Sequence, residues 1–414
     1  MTLEKQTSSD AESAFASTVE VHDFLMRTGE LLHQHGTPSH RLERVMTKVA
    51  RTLGIKCTFL YTPTSLIASM GDAPNERMYM RRVDSGSVDA DKLIRFDEIL
   101  EDLEAKKITV SDARLRLEAT ANAPAPFSKG LTACMCGLAC ASIAVVFGGG
   151  AFEVLTAGLI GLAIAGLEGL QSRLGWEQGL LFPIAGFAAA LTSLAVAKWV
   201  VPIDDRLVTL ASLVILLPGL TITVAMTELA VGHLSAGVAR FAGACATLLT
   251  LFIGVAIAWR VAGSWRSMPA SPEALPAICL WVAVLISPAT FAVLFRVRTS
   301  RWWIVFAVSL SGFLAARYFG GLYSSEVGSF MGALVVGCGS NLYARLRDRP
   351  AMVPQAPGII LLVPGSLGYR SLSAMQDREI LAGVDFAFNM LFVAMCLVGG
   401  LLAASAIIPP KRIL

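Results

Sequence analysis

The chain has 414 residues, 55% of them apolar and only 16% charged, with a mean hydropathy of +0.63. A soluble globular chain averages about 45–50% apolar and about 25% charged residues, so the balance excludes an ordinary soluble enzyme and points to an integral membrane protein. The net charge of +3 is too small to argue for nucleic-acid binding, and the eight cysteines form neither a disulfide framework nor a paired CxxC zinc pattern.

Residues 1–127 hold 16 Lys/Arg and 19 Asp/Glu, more than half of all the charges in under a third of the chain. Residues 1–19 are polar and acidic, lack the apolar core of a signal peptide, and read as a disordered tail. Residues 20–121 read as a compact α+β domain. Apolar spacing predicts helices over 19–35 and 38–53, joined by a turn at Gly36-Thr-Pro-Ser39. Three short strands at 55–61, 65–70 and 78–83 should form a small antiparallel sheet. Helices at about 91–106 and 111–121 follow, with Ser111 expected to cap the second over Asp112. His33, His35 and His40 cluster around the first turn, but no acidic or cysteine partner stands at metal-ligand spacing. The prolines in 122–127 stop the last helix and mark a linker. A charged folded domain of this size is most simply left in the cytoplasm, so Cys57 should not be reachable from outside intact cells.

From Ser128 onward ten apolar segments are long enough to cross roughly 30 Å of hydrocarbon: about 128–149, 152–171, 178–200, 206–231, 235–260, 274–295, 300–317, 326–344, 355–374 and 383–409. Their runs are continuous, which suits helices and not barrel strands. With the N-terminus inside, ten Lys/Arg fall on inner loops and flanks: Lys129, Arg173, Arg296, Arg298, Arg301, Arg345, Arg347, Arg349, Lys411 and Arg412. Seven fall outside: Lys198, Arg206, Arg260, Arg266, Arg317, Arg370 and Arg378. Both triple clusters lie inside, so both termini read as cytoplasmic and the protein as a multi-pass component of the cell (inner) membrane.

The membrane half repeats. Pro218-Gly219 stands 146 residues before Pro364-Gly365, and at the same offset Ala236-Gly237-Val238 meets Ala382-Gly383-Val384. Each copy, 128–260 and 274–410, has five spans. An odd number sends the second copy in from the opposite face, giving a 5+5 inverted repeat of the kind secondary transporters use. Matched Gly/Pro breaks free backbone groups for a polar solute where lipid cannot satisfy them. Those breaks make Pro218, Gly219, Thr221, Pro364, Gly365 and Ser366 candidate substrate-binding residues.

Charges within spans need a reason, since insertion scales put each at about 2.5–3.5 kcal/mol. Glu153 and Glu168 lie near span ends and read as interfacial. Glu228 shares a helix face with Pro218, Thr221 and Ala225, and could meet Arg240 across a short turn at His233. That pair serves either structure or substrate. An ion-paired carboxylate is held charged, which leaves Asp385, with Asn389 one turn on, as the proton carrier. Cys134, Cys136 and Cys140 read as small packing residues, since positions two apart do not share a helix face. No metal site, cofactor or catalytic constellation is expected.

Three blocks resemble one family. Arg27 to Glu43 together with Leu93 to Leu117 is similar to the N-terminal domain of the threonine/serine exporters. LLPGLTITVAMTELAVGHLSAGVAR (216–240) resembles that family's proline-glycine motif with its acidic residue and arginine, and LLVPGSLGYRSL (361–372) the matching motif of the second half. Where the family often carries aspartate, this chain has Glu228, one methylene longer. The resemblance, over about residues 20–408, implies a proton-coupled antiporter exporting small hydroxy-amino acids, with ten spans and a cytoplasmic N-terminal domain. The implied partners are an amino-acid substrate, protons and the lipid bilayer, with a homo-oligomer left open. Two alternatives stay open: a dicarboxylate exporter, which should want net positive charge at its site, and a non-transporting sensor with the N-terminal domain as output.

Overall fold

The structure, a computed structural model, describes residues 19–84, 86–265 and 272–410. The expected tail up to residue 18, Arg266, Lys411 and Arg412 lie outside the described residues. Residues 19–121 gather around one apolar core. Helix α1 (residues 19–34) and α2 (Ser39–Thr52) pack over strands β1 (Cys57–Thr62), β2 (Ser65–Met70) and β3 (Arg77–Arg82). The sheet is antiparallel in the order β1-β2-β3, with Leu60 opposite Ile67 and Ile67 opposite Met80. Alternation aims Phe59, Tyr61, Leu66, Ala68 and Met70 at the core, one face only.

Helix α3 (Ala90–Glu104) starts where the Asp89 carboxylate accepts from the amide of Lys92. Helix α4 (Val110–Ala121) starts at Thr109, not at Ser111 as the sequence suggested. Thr109 and Asp112 stand three apart and bond each other's backbone amides reciprocally, closing a capping box that Ser111 has the wrong register to make.

Among the described residues, eight helices beyond the linker are long and apolar enough to cross a membrane. They are α5 (Lys129–Val146), α6 (Ala151–Leu174), α7 (Leu181–Trp199), α10 (Leu234–Val261), α11 (Ala277–Leu294), α12 (Trp302–Leu322), α13 (Ser325–Arg347) and α16 (Ile380–Ile407). The fourth and ninth apolar segments are each split in two. Helices α8 (Asp205–Ser212) and α9 (Gly219–Ala230) flank Pro218; α14 (Met352–Ile360) and α15 (Gly365–Gln376) flank Pro364.

The contacts pair off. Helix α5 packs on α6 as α11 packs on α12, α7 on α10 as α13 on α16, and α9 on α10 as α15 on α16. Across the middle α5 meets α11, α9 crosses to α16, and α15 crosses to α10. The turns match too. Gly232 and Arg378, again 146 apart, both take positive φ, and the bond from His233 N to Glu228 O recurs from Glu379 N to Ala374 O. In each hairpin a glycine permits close approach: Gly237 against Leu229, Gly383 against Met375.

The N-terminal unit sits against the ends of α11, α13 and α14. Asp89 pairs with Arg296 at 2.7 Å, Asp91 with Arg298 at 2.6 Å, and Glu98 with Arg349. The Ala90 amide donates to the Phe295 carbonyl, and Met352 and Ala356 join the unit's apolar core. The two arginine clusters therefore face the acidic residues of α3.

Candidate functional site

Both breaks have one geometry. Pro218 (φ −78°, ψ 36°) and Pro364 (φ −81°, ψ 23°) interrupt the helices in the same non-helical conformation, and a new helix starts at the glycine that follows. The two glycines abut. A methyl group on Gly219 would collide with Val363 and lie 3.0 Å from the backbone nitrogen of Gly365, while one on Gly365 would lie 3.3 Å from both N and Cα of Gly219. A side chain at position 219 therefore has to displace Val363, and one at 365 has to press the Gly219 backbone aside by a few tenths of an ångström. The N-termini of α9 and α15 thus meet, and a helix N-terminus presents amides without intrahelical partners together with the positive end of the dipole.

The broken segments run in opposite directions. At one end Arg206, at the start of α8, pairs with Asp377, just past α15, at 2.6 Å. At the other, Met352 and Gln355 of α14 border a cavity with Thr227 and Val231 at the end of α9. That cavity, about 350 Å³, follows α9 from Leu220, beside the break, to Val231 and is lined on another side by α2 of the N-terminal unit. The rise is about 16 Å for eleven helical residues.

Of the residues expected at the site, Pro218, Gly219, Pro364 and Gly365 are buried at the crossing and Ser366 is half-buried in the first turn of α15. Thr221 is exposed on the other face of α9, and the threonines lining the cavity are Thr223 and Thr227, whose hydroxyls donate to the carbonyls of Gly219 and Thr223. Spacing from Pro218 could not reveal this, because the break resets the phase of the helix. Glu228 and Arg240 do meet. Arg240 Nε donates to Glu228 Oε2 at 2.9 Å and Nη2 to Oε1 at 3.1 Å, with the glutamate fully buried. Glu228 Oε1 also accepts from the backbone amide of Ser39 at 2.9 Å. Helix α2 has no side-chain cap of its own, and a carboxylate 189 residues away supplies one. Asp385 lies on the exposed side of α16, well apart from that pair; among the described residues it accepts one hydrogen bond, from Asn389 at 3.1 Å, and makes no ion pair.

Glu168 is exposed, whereas Glu153, in the first turn of α6, is buried and accepts from the Asp204 amide, bracing the start of α8. Cys136 and Cys140 are buried; Cys140 Sγ donates to Ser212 O. His233 does sit at the turn and pairs with Glu43 at 3.2 Å. Among the described residues no group of three His, Cys, Asp or Glu side chains could hold a metal. Sequence reasoning missed the α2 side of the cavity, Arg41, Arg44 and His40, because nothing local in the sequence brings α2 to α9.

Many apolar helices around two matched breaks mark a multi-pass membrane protein. Sequence profiles of the threonine/serine exporters match residues 23–262 and 280–407, nearly the whole chain, and the chain belongs to that family. Curated relatives include the pheromone-regulated membrane protein 10 of Eremothecium gossypii, 24% identical over 425 residues, and that of Saccharomyces cerevisiae, 25% identical over 442. These alignments cover 95% and 99% of this chain, and 57% of each relative. An uncharacterized protein of Schizosaccharomyces pombe is 25% identical over 371 residues, 85% of this chain and 48% of its own length. The chain thus spans about half the length of these relatives. No solved structure matches it.

Proposed function

We propose that the protein is a secondary exporter of threonine and serine, coupled to protons, in which solute passes the crossing of the two breaks. The observation that carries this is the meeting of the α9 and α15 N-termini at Gly219 and Gly365, where the positive ends of two helix dipoles come together in a way fit for a substrate carboxylate. In this reading the two broken segments complete ten spans. Residues 20–121 are a cytoplasmic domain, and 128–260 and 274–410 are inverted repeats in the cell membrane with both termini inside. Opposed broken segments support the inversion, as does the path of α5 and α11: one starts beside the N-terminal unit and the other ends against it.

Pro218, Gly219, Pro364, Gly365 and Ser366 then form the substrate site, without Thr221, which faces away from it, and Glu228 and Arg240 couple the site to the cytoplasmic domain. Asp385 and Asn389 carry the proton. A carboxyl on an exposed helix face can exchange protons without breaking a buried ion pair. A second reading, export of a dicarboxylate, draws support from the cavity, where Arg41 and Arg44 line the wall and no Asp or Glu does.

Counterflow of labelled threonine, serine and succinate into proteoliposomes separates the two readings. Exchange of threonine and serine supports the first and exchange of succinate alone the second. Asp385→Asn should abolish gradient-driven export while leaving exchange measurable, and Glu228→Gln should impair both. Full pH-dependent export by Asp385→Asn would remove Asp385 from the mechanism.

A further inference from the structure

The cavity along α9 is walled from two sides. Helix α2 contributes His40, Arg41 and Arg44; the membrane helices contribute Thr223 and Thr227 of α9 and Gln355 of α14. The charge on the α2 side is unbalanced. Arg41 offers five N–H donors, and among the described residues its one side-chain hydrogen bond goes from Nη2 to the neutral amide oxygen of Gln355 at 2.8 Å. Neither Arg41 nor Arg44 makes an ion pair among the described residues. The carboxylates nearby are engaged elsewhere: Glu43 with His233, and Glu228 with Arg240 and the Ser39 amide.

Burial and the neighbouring Arg44 pull Arg41 down to about 10, so it is still a cation at neutral pH, half-buried and with no carboxylate counter-ion among the described residues. Beside it the Nδ1 of His40 is buried with no partner. Burial, then Arg41 and Arg44, push His40 down to about 3, so the ring is neutral and free to hydrogen-bond. The volume is at the small end of ligand pockets, which run from about 300 to 1,000 Å³.

We propose that this cavity is a carboxylate-binding antechamber, in which Arg41 of the N-terminal unit holds the carboxylate of a small organic acid or amino acid and Thr223 and Thr227 face the rest of it. The N-terminal unit is then part of the solute path. An arginine suits this task because its planar fork matches a carboxylate bidentately. The assignment deepens the transport reading by adding a site ahead of the break crossing, and it can be tested apart from transport.

The test is calorimetric titration of the purified full chain in detergent with threonine, serine, succinate and threoninamide, which differs from threonine in lacking the carboxylate. At least one of the three acids should bind, and threoninamide should bind at least tenfold more weakly than threonine or not at all. This comparison needs no variant. Arg41→Gln should weaken the acid that binds by tenfold or more, and Arg41→Lys by less, with unfolding midpoints recorded to establish that both variants fold. Failure of all three acids to bind overturns the proposal, as does threoninamide binding as tightly as an otherwise bound threonine, or a folded Arg41→Gln of unchanged affinity. Counterflow distinguishes the two readings. Exchange with an unchanged KM in Arg41→Gln overturns the antechamber and leaves the exporter, whereas Arg41-dependent binding without exchange of any solute does the reverse.

Discussion

Glu228 is a carboxylate shared between an arginine of the same hairpin and the first amide of a helix in another part of the chain. Glu228→Gln leaves the half-buried Arg240 without its anion, and removing one partner of a fully buried pair costs about 3–5 kcal/mol, an upper bound for this one. The variant should unfold at lower temperature, and its linker at 122–127 should be cut faster by added protease, because α2 loses its tether. Unchanged unfolding and cleavage would mean that the pair carries nothing. The pair itself was legible, since twelve residues across a tight turn bring two helix faces together. Its third member was not, because the Ser39 contact depends on how the N-terminal unit docks. His40 gives a second expectation. The unfolded ring takes up a proton near pH 6.5 and the folded one only near about 3, so stability should fall as pH drops through that window and stay flat above it. The loss reaches up to about 2 kcal/mol between pH 6.5 and 5, at 1.4 kcal/mol per unit. Thermal unfolding across that range, with His40→Gln expected to make the profile shallower, checks it; His22, His33 and His35, also held down by burial, keep the rest of the slope.

At the scale of helices, the breaks decide the architecture. Gly219 and Gly365 let two helix starts touch, so Gly219→Ala pushes a methyl into Val363 and the Gly365 backbone. Overpacking of this kind costs about 1–3 kcal/mol, and the displaced α9 should lose solute exchange out of proportion to the loss of stability. A Gly219→Ala protein with normal exchange would show that the crossing is only a packing contact. Both breaks were legible because proline and glycine recur at a fixed offset, and the structure repeats the same dihedral angles at each. The start of α4 was misplaced for a local reason: Thr109 and Ser111 are both good caps, and only reciprocity with Asp112 selects Thr109. Thr109→Ala should cost roughly 1 kcal/mol in thermal unfolding, while Ser111→Ala should cost nothing measurable.

Over the whole molecule, the acidic α3 meets two arginine clusters that hydropathy alone had placed on one side of the membrane. The α+β content of residues 19–121 and the long helices were readable from periodicity. Their mutual docking was not, since it rests on Asp89, Asp91 and Glu98 finding arginines more than two hundred residues away. Orientation can be tested through the exposed sheet face. Cys57 is a poor reporter, its thiol pushed up to about 11 by burial, whereas Met78 stands 77% exposed on β3. A Met78→Cys protein, with Cys134 replaced, should resist impermeant maleimide on intact cells and react after lysis. The central claim, that solute passes where the two breaks cross, is tested most directly by counterflow of labelled threonine into proteoliposomes holding the native chain or Gly365→Val. The account predicts exchange by the native chain and its loss in a Gly365→Val protein that still folds. Equal exchange by both proteins would contradict it.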